Sequence, residues 1–315
     1  MSGRRILVTG AAGFIGSHSV DRLLDHGHDV IGVDNFRTGR FENLDCARHS
    51  DRFRLVNSDV TDEAAMDRLF REYRFDGLLH LAALVSVPES FKEPALNYRI
   101  NVAATDILAR LCLIHECRRI VFASSAAVYG NAAALPNRES AEPDPVSPYA
   151  AAKLASEVLL LGYAASYGLE AVCFRYFNVY GVRQDPSSPY SGVLSIFTDR
   201  MRAGAPVTVF GDGEQTRDFV SVHDVAQFNC SAVTAEGIRI GRYNVCTGTE
   251  VSLNDVLEIC RHSYPDAPAP SYSNAREGDI RHSVGDPQRL EQNLGMRASV
   301  PFARGLNALI SGKLL

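Results

Sequence analysis

Short apolar runs alternate with helical patterns from the start of this 315-residue chain to about residue 178. The strand-like runs are RRILVTG, HDVIGVD, FRLVNSD, DGLLHLA, RRIVFASS and LEAVCFRYFN. Each is rich in apolar or β-branched residues and is bounded by turn signals, which is typical of a buried strand. Strand, helix and strand in repeated succession predict a parallel, doubly wound α/β sheet, because parallel neighbours need a crossover connection.

The helices between these runs carry start and stop signals. In SPYAAAKLASEVLLLGYAASYG, Ser147 is the expected N-cap, Pro148 occupies the first helical position and Gly168 ends the helix. Thr61 is the expected N-cap of the helix TDEAAMDRLFREY. A further long helix is expected from Ala95 to Glu116.

Composition argues against several classes of function. A net charge of -5 without a long block of like charge offers nothing to nucleic acid or to an anionic membrane. No apolar run approaches the roughly 18 residues of a membrane span, so we expect a cytoplasmic protein. The seven cysteines show neither C-x-x-C spacing nor a nearby histidine at metal-ligand spacing, which predicts buried or incidental thiols and no metal site.

A glycine-rich turn joins the first predicted strand to the first helix. The stretch VTGAAGFIGSH places Gly10, Gly13 and Gly16 there, so that backbone can approach a pyrophosphate on the helix N-terminus. The second strand ends in Asp34, where a carboxylate can accept both ribose hydroxyls of NAD and disfavours a 2′-phosphate. Together these features predict a Rossmann-type NAD site.

The alternation of strands and helices becomes irregular after about residue 178. We therefore expect residues 1–177 to form the NAD-binding domain, with a return segment near 220–246. Residues 178–219 and 247–315 are expected to form a smaller, substrate-binding lobe over the carboxyl edge of the sheet, where such sheets bind ligands.

Tyr149 and Lys153 predict proton-transfer chemistry beside the cofactor. They are four residues apart and share a helix face, where an ammonium can lower the pKa of the phenol and hold the nicotinamide ribose. A phenol with a pKa near 10 is otherwise a poor base at neutral pH. Ser124 and Ser125 end the fifth strand, at the edge where the loops of such a sheet build sites.

The motifs of the chain resemble those of the extended short-chain dehydrogenases/reductases. The likeness is to the NAD-dependent nucleotide-sugar epimerase/dehydratase family, and within it to 4-epimerases of UDP-glucose and UDP-N-acetylglucosamine. The motifs are TGAAGFIGSH, the DN at Asp34, the SDV at Asp59, the HLAA at His80, SSAAVYG, SPYAAAK, RYFNVYG, GDGEQTRDFVSVHDVA and REGDIRHSVGD. They extend over nearly the whole chain.

The resemblance implies an NAD site with contributions from six of the predicted strands and their following loops. The residues it implies are Gly10, Gly13, Phe14, Ile15, Gly16, Asp34, Asn35, Thr38, Gly39, Asp59, Val60, Leu81, Ala82, Ala83, Asn101, Ser124, Tyr149, Lys153, Tyr176 and Phe177. Asn101 is expected on a helix, facing the cofactor. His80 is expected to be a hydrogen-bonded core histidine without a catalytic role.

The resemblance also implies the reaction. In similar enzymes the serine equivalent to Ser125 orients the 4-hydroxyl, and the tyrosine equivalent to Tyr149 takes its proton while C4 gives a hydride to NAD. The related dehydratases and decarboxylases have acidic residues where Ala126 and Ala127 stand. The chemistry is therefore expected to stop at C4, as an epimerisation through a transient 4-keto sugar.

The substrate site is implied on the same basis. Its residues are Ser125, Ala126, Asn178, Val193, Val207, Phe210, Arg217, Arg276, Asp279 and Ser283. The two arginines would grip the diphosphate, the stretch from Val207 to Phe210 would hold uracil, and Asp279 would bind the ribose. Ser283 stands where epimerases restricted to glucose and galactose have a tyrosine, so an N-acetyl group at C2 should fit.

Three interpretations remain open. The first is a 4-epimerase of UDP-N-acetylhexosamines, with UDP-hexoses as further substrates. The second is a UDP-hexuronate 4-epimerase, which Asp185 disfavours because similar enzymes tend to carry an arginine there. The third is a non-catalytic NAD-binding regulator. A homodimer through a four-helix bundle, built from helices Ala95 to Glu116 and Ser147 to Tyr167, is implied by the resemblance.

Overall fold

A seven-stranded parallel sheet forms the centre of the computed structural model, which describes residues 3–131, 134–185, 192–275 and 281–314. Including the short strands outside this sheet, the strands of the described residues are β1 Arg5–Thr9, β2 Asp29–Asp34, β3 Phe53–Asn57, β4 Gly77–His80, β5 Arg119–Ser125, β6 Glu170–Tyr176, β7 Asn178–Tyr180, β8 Thr208–Phe210, β9 Thr216–Arg217, β10 Phe219–Ser221, β11 Gly241–Val245, β12 Val251–Ser252, β13 Ser271–Ser273 and β14 His282–Ser283. The sheet order is β11-β6-β5-β4-β1-β2-β3, with parallel pairing throughout. The doubly wound prediction is confirmed.

Helices cover both faces of this sheet. The α-helices of the described residues, in the sheet layers and in the smaller lobe, are α1 Phe14–Asp25, α2 Glu63–Tyr73, α3 Val87–Lys92, α4 Pro94–Tyr98, α5 Ala104–Ile114, α6 Pro148–Tyr167, α7 Val193–Arg202, α8 Val222–Thr234, α9 Leu253–Ser263, α10 Gln288–Leu294 and α11 Phe302–Ser311. On one face Leu23 of α1 and Phe228 of α8 enter the core. On the other, Phe70 of α2, Leu108 of α5 and Leu160 of α6 do so. Burial of these apolar side chains on both faces stabilises the sheet between its helical layers.

The helix signals were correct at α6 and wrong at α2. The Ser147 side chain accepts a hydrogen bond from the Ala150 N–H, and Gly168 ends α6 in the left-handed region at φ +72°. At α2 the N-cap is Asp62, which accepts from the Ala65 N–H. Thr61 lies one residue before this N-cap, and its N–H and its hydroxyl both donate to Asp59, at 2.8 and 2.7 Å.

The expected helix from Ala95 to Glu116 is irregular. It consists of α4, a π-helical turn over Arg99–Ala103, and α5, which ends at Ile114. A π-turn widens the helix and re-aims the side chains within it. Here it turns the side chain of Asn101 inward, and that residue is buried.

A second apolar core lies in the smaller lobe. It contains Leu194 and Phe197 of α7, Val209 of β8, Leu257 of α9 and Leu306 of α11. By contrast, α10 packs on the large sheet, because Leu290 belongs to the same core as Leu23. The limits of the two predicted domains therefore remain a prediction.

All seven cysteines are free thiols, and six of them are buried, with Cys46 exposed. In the described parts of the chain, no helix combines the length and apolar character that crossing a membrane requires.

Candidate active site

A cavity of about 840 Å³ runs along the carboxyl edge of the large sheet. Every predicted cofactor residue except Asn101 lines it, as does Ser125. Because the carboxyl ends of all parallel strands meet at one edge, residues from β1, β2, β4, β5 and β6 are collected in one place. The topology therefore explains why motifs far apart in sequence share one wall.

The glycine turn leaves no room for side chains. Gly10 has φ +69°, and a Cβ there would lie 2.8 Å from the backbone nitrogen of Ala82. A Cβ on Gly16 would lie 1.9 Å from the carbonyl oxygen of Gly10. Helix α1 then begins after Gly13, without a side-chain cap. The N-terminal amides of α1 are thus open to a phosphate group.

Asp34 ends β2 at the cavity wall with its carboxylate held in place. Its Oδ2 accepts from the Ala12 N–H at 2.9 Å and its Oδ1 accepts from the Phe36 N–H at 2.8 Å. Burial raises the pKa of Asp34, while these two hydrogen bonds oppose the rise. The turn, the helix terminus and this fixed carboxylate fit NAD, with the ribose hydroxyls at Asp34.

Tyr149 and Ser125 meet across the cavity. Both residues line it, and the nearby Ser125 hydroxyl lowers the pKa of Tyr149 against the larger effect of burial, which raises it. Ser125 is extended at the end of β5, and its Oγ also accepts from the Ala127 N–H at 3.2 Å. Ala126 follows at the start of a short 3-10 turn, so only a methyl group projects there.

Lys153 lies one turn of α6 beyond Tyr149. Its Nζ donates to the carbonyl oxygen of Ala123 at 2.8 Å and lies 5.9 Å from the ring centre of Tyr149. Burial lowers the pKa of Lys153 to about 7, although the negative charge of Glu157 acts in the opposite direction. A lysine with such a pKa can exchange a proton near neutrality.

His80 is a core residue, as expected. Its Nδ1 is 2.8 Å from the Thr9 hydroxyl and its Nε2 is 3.2 Å from the Thr105 hydroxyl. Burial, and then the charge of Lys153, lower the pKa of His80 to about 3, so the ring is neutral.

Asn101 does not line the cavity. Its Oδ1 accepts from the Leu84 N–H at 3.0 Å, and its Nδ2 donates to the carbonyl oxygen of Leu84 and to Asn97 Oδ1, at 3.0 and 2.7 Å. The side-chain amide of Asn101 is thereby hydrogen-bonded to the loop after β4. The side chain of Asn101 holds this loop, and its expected place facing the cofactor remains a prediction.

Three predicted substrate residues come together from three short strands. Ser283 of β14 pairs with Arg217 of β9, and the Asn178 N–H at the start of β7 donates to the carbonyl oxygen of Asp218 at 3.0 Å. The Asp218 N–H donates in turn to the carbonyl oxygen of Ser283 at 2.9 Å. These contacts make one continuous surface of Asn178, Arg217 and Ser283.

The buried Asp218 carboxylate organises this surface. It accepts from the Thr247 N–H and hydroxyl, and from the N–H groups of Gly248 and Gly285, at 2.7 to 3.3 Å. Four donors on one carboxylate tie three chain segments together. Sequence reasoning missed this residue, although its place in the motif TRDFVSVHDVA was a signal.

The remaining predicted substrate residues differ in their placement. Val193 begins α7, and Phe210 ends β8 with partial exposure. Val207 is buried in the core of the lobe and its carbonyl oxygen accepts from the Ser271 N–H at 2.9 Å, so its side chain is not offered to a ligand. Arg276 and Asp279 lie outside the described residues.

Two ion pairs that involve cavity-lining arginines were not expected from sequence. Arg37 pairs with Glu89, and Arg40 pairs with Asp185 across the cavity. Because Arg40 offsets the charge of Asp185, the electrostatic argument against a uronate substrate loses force. Both arginines follow Asp34 closely in sequence, but their partners are brought in by tertiary contacts.

Comparison with known proteins identifies the family to which this chain belongs. The model of the NAD dependent epimerase/dehydratase family matches residues 6–246. The chain belongs to this family. It is an NAD-dependent enzyme, and the fit of the glycine turn and Asp34 to the dinucleotide agrees with the family description.

Individual family members are similar over nearly their whole length. UDP-glucose 4-epimerase of Mycolicibacterium smegmatis is 40% identical over 305 residues, which are 96% of each chain. The structure of a Thermotoga maritima UDP-glucose 4-epimerase with UDP-glucose has a TM-score of 0.91 at 36% identity, covering 98% of both chains. A Methanobrevibacter ruminantium UDP-N-acetylglucosamine 4-epimerase in complex with UDP-N-acetylmuramic acid has a TM-score of 0.93 at 35% identity, covering 99% of this chain and 98% of that one.

Proposed function

We propose that this family member is a 4-epimerase of a UDP-sugar, with UDP-N-acetylhexosamines as its substrates and UDP-hexoses as further ones. The observation that carries this proposal is the meeting of Ser125, Tyr149 and Lys153 at one wall of the cavity. NAD held at the glycine turn and Asp34 would supply the hydride chemistry at C4.

The side chains of the wall divide the proton chemistry between them. Ser125 orients the 4-hydroxyl, and Tyr149 takes its proton and later gives it back. The Lys153 ammonium stabilises the phenolate form of Tyr149, which burial otherwise disfavours. Since Tyr149 both removes and restores one proton, no net acid or base is consumed.

The small residues after Ser125 limit the reaction to C4. Ala126 and Ala127 offer no carboxyl group to expel water from C5 and C6 or to assist decarboxylation. A sugar oxidised at C4 in this site can therefore react onward in one productive way, which is reduction of C4 from either face. The result is an interconversion of C4 epimers.

The sugar preference rests on Ser283. This residue is partly exposed beside Arg217, and its hydroxymethyl side chain leaves more space than an aromatic ring would. An N-acetyl group at C2 is expected to occupy that space. The ion pair of Asp185 with Arg40 keeps a UDP-hexuronate as the second candidate, because it leaves less negative charge to repel a carboxylate.

We also propose a homodimer through α6 and the helix formed by α4 and α5. The outward face of α6 carries Ala151, Ala155, Val158, Gly162 and Ala165, all exposed and all apolar. They recur every three or four residues, which is the pattern of a helix that packs on another helix. Val158→Glu should convert the dimer to a monomer in sedimentation experiments, whereas exposed Arg71→Glu on α2 should not.

The proposed function is tested with purified protein and no added NAD. UDP-glucose, UDP-N-acetylglucosamine and UDP-glucuronate are incubated separately, and each anomeric proton is followed by NMR. Conversion of UDP-N-acetylglucosamine to its C4 epimer supports the proposal. Conversion of glucuronate alone would favour the hexuronate interpretation, and no conversion of any of the three would contradict the proposed substrate class.

A further inference from the structure

A buried ion pair lies directly behind the wall that carries the reaction. Glu157 of α6 and Arg175 of β6 are both fully buried. Arg175 Nε donates to Glu157 Oε1 at 2.9 Å, and Arg175 Nη2 donates to Glu157 Oε2 at 2.7 Å. A buried pair adds little stability by itself, because desolvation opposes the attraction. Its position therefore suggests a role in the site.

Glu157 contacts the site through two neighbours. It follows Lys153 by one turn of α6, on the same helix face. Its Oε1 also accepts a hydrogen bond from the hydroxyl of Ser124, the residue before Ser125 on β5. One carboxylate thus faces both the lysine and the serine pair.

We propose that Glu157, fixed in place by Arg175, is a positioning residue whose negative charge keeps Lys153 an ammonium ion and whose hydrogen bond fixes Ser124 at the cavity wall. The functional part of this inference rests on the proposed epimerase activity. Glu157 itself does not line the cavity, so it acts through Lys153 and Ser124.

The surroundings make Lys153 sensitive to this charge. Its pKa is lowered by burial to about 7, and Glu157 is the charged group that raises it. The other ionisable groups that face this region are Tyr149 on α6, neutral His80 on β4, Cys173 and Arg175 on β6, and Tyr129 beyond Arg175. With a pKa near neutrality, a modest loss of attraction converts much of the ammonium to the amine.

Arg175 is held from its far side as well. Its guanidinium carbon lies 4.8 Å from the ring centre of Tyr129, whose hydroxyl donates to Asn244 Oδ1 at 2.6 Å. These contacts fix the arginine independently of Glu157. Replacing Glu157 alone therefore leaves a buried, unpaired cation, whereas replacing both residues does not.

The first test is a direct titration of Lys153. The chain has only three lysines, Lys92, Lys153 and Lys313, so NMR of protein labelled at lysine 13Cε gives three signals, and Lys153→Met assigns one of them. In Glu157→Gln, with NAD present as in the wild type, the Lys153 midpoint should fall by about one pH unit. The exposed Lys92 and Lys313 should titrate as before.

Two further variants separate positioning from folding. Glu157→Gln with Arg175→Met removes both charges, so thermal stability should recover relative to Glu157→Gln while the Lys153 midpoint stays low. If Glu157→Gln alone does not fold, the Lys153 midpoint of this double variant still tests the proposal. Glu170→Gln breaks the Arg119–Glu170 pair at the other end of β5 and β6, and should leave the midpoint unchanged.

The pH dependence of kcat provides the second readout. Its alkaline limb should move to lower pH in both Glu157 variants and not in Glu170→Gln, because the ammonium is lost at lower pH. An unchanged Lys153 midpoint in both Glu157 variants would overturn the inference. The titration needs no substrate, so its outcome is independent of whether the proposed substrates are turned over.

Discussion

The Nζ atom of Lys153 lies 2.8 Å from the carbonyl oxygen of Ala123, and this hydrogen bond joins the first half of α6 to the end of β5. The acceptor is neutral, so the bond fixes the position of the lysine without neutralising its charge. Burial therefore governs its protonation, and its pKa falls to about 7. Several expected properties of the protein depend on this arrangement.

Lys153 should make stability depend on pH. Its pKa is about 7 in the fold and 10.5 in the unfolded chain, so between these values the unfolded chain binds more protons. The free energy of unfolding should therefore gain from this residue as pH rises through that window, by at most about 1.4 kcal/mol per pH unit. In urea unfolding at pH 7, 8 and 9 with equal NAD, Lys153→Met should lack this gain. Identical slopes for the two proteins would contradict the assignment.

Tyr149→Phe should reduce kcat by about 10²-fold to 10⁴-fold, because the hydroxyl that exchanges the proton is lost. The ring remains to fill its buried place, so the thermal midpoint should change little. Combination with Lys153→Ala should abolish turnover. Appreciable residual epimerisation in the NMR assay would remove Tyr149 as the base.

Ser283→Tyr should depress activity on UDP-N-acetylglucosamine and spare UDP-glucose. The phenol would occupy the space beside Arg217 that we assign to the N-acetyl group. Ser263→Tyr, at the exposed C-terminal end of α9, is the control and should affect neither substrate. Equal loss on both sugars would refute the proposed gate.

Asp34→Ala should weaken NAD binding by about 10-fold to 100-fold, because hydrogen bonds to a charged group contribute about 1.5 to 3 kcal/mol. The variant removes the carboxylate and leaves the N–H groups of Ala12 and Phe36 without this acceptor. NAD released on denaturing the purified protein measures its retention. Asp29→Ala, at the other end of β2, should retain NAD like the wild type.

Asp218→Ala should lower the free energy of unfolding by about 2 to 4 kcal/mol, since donors from Thr247, Gly248 and Gly285 lose their buried acceptor. The loss should also raise KM for the UDP-sugar, because Asp218 holds Ser283 and Arg217 in register. Urea unfolding and initial rates check the two effects. Asp212→Ala, at an exposed ion pair, should change neither by much.

Local sequence determined much of the fold and the cofactor half of the site. The six predicted strands form in the sheet, and Ser147 and Gly168 bound α6 as expected. Strand periodicity, caps and glycine turns are decided by residues a few positions apart, so one sequence is enough to recognise them. The error at Thr61 is of the same local kind, because Asp59 and Asp62 compete for the same short stretch.

Tertiary structure alone decided which buried polar atoms meet. Sequence could mark Asn101 as inward-facing, but only the π-turn directs its amide to Leu84. The buried pair of Glu157 and Arg175 likewise joins two separate elements of the chain, α6 and β6. Such contacts depend on strand order and helix packing, because a buried charge must find a partner wherever the fold provides one. The sequence therefore determined where the cofactor site forms, and the packing of α6 on β5 and β6 decided how its lysine is held.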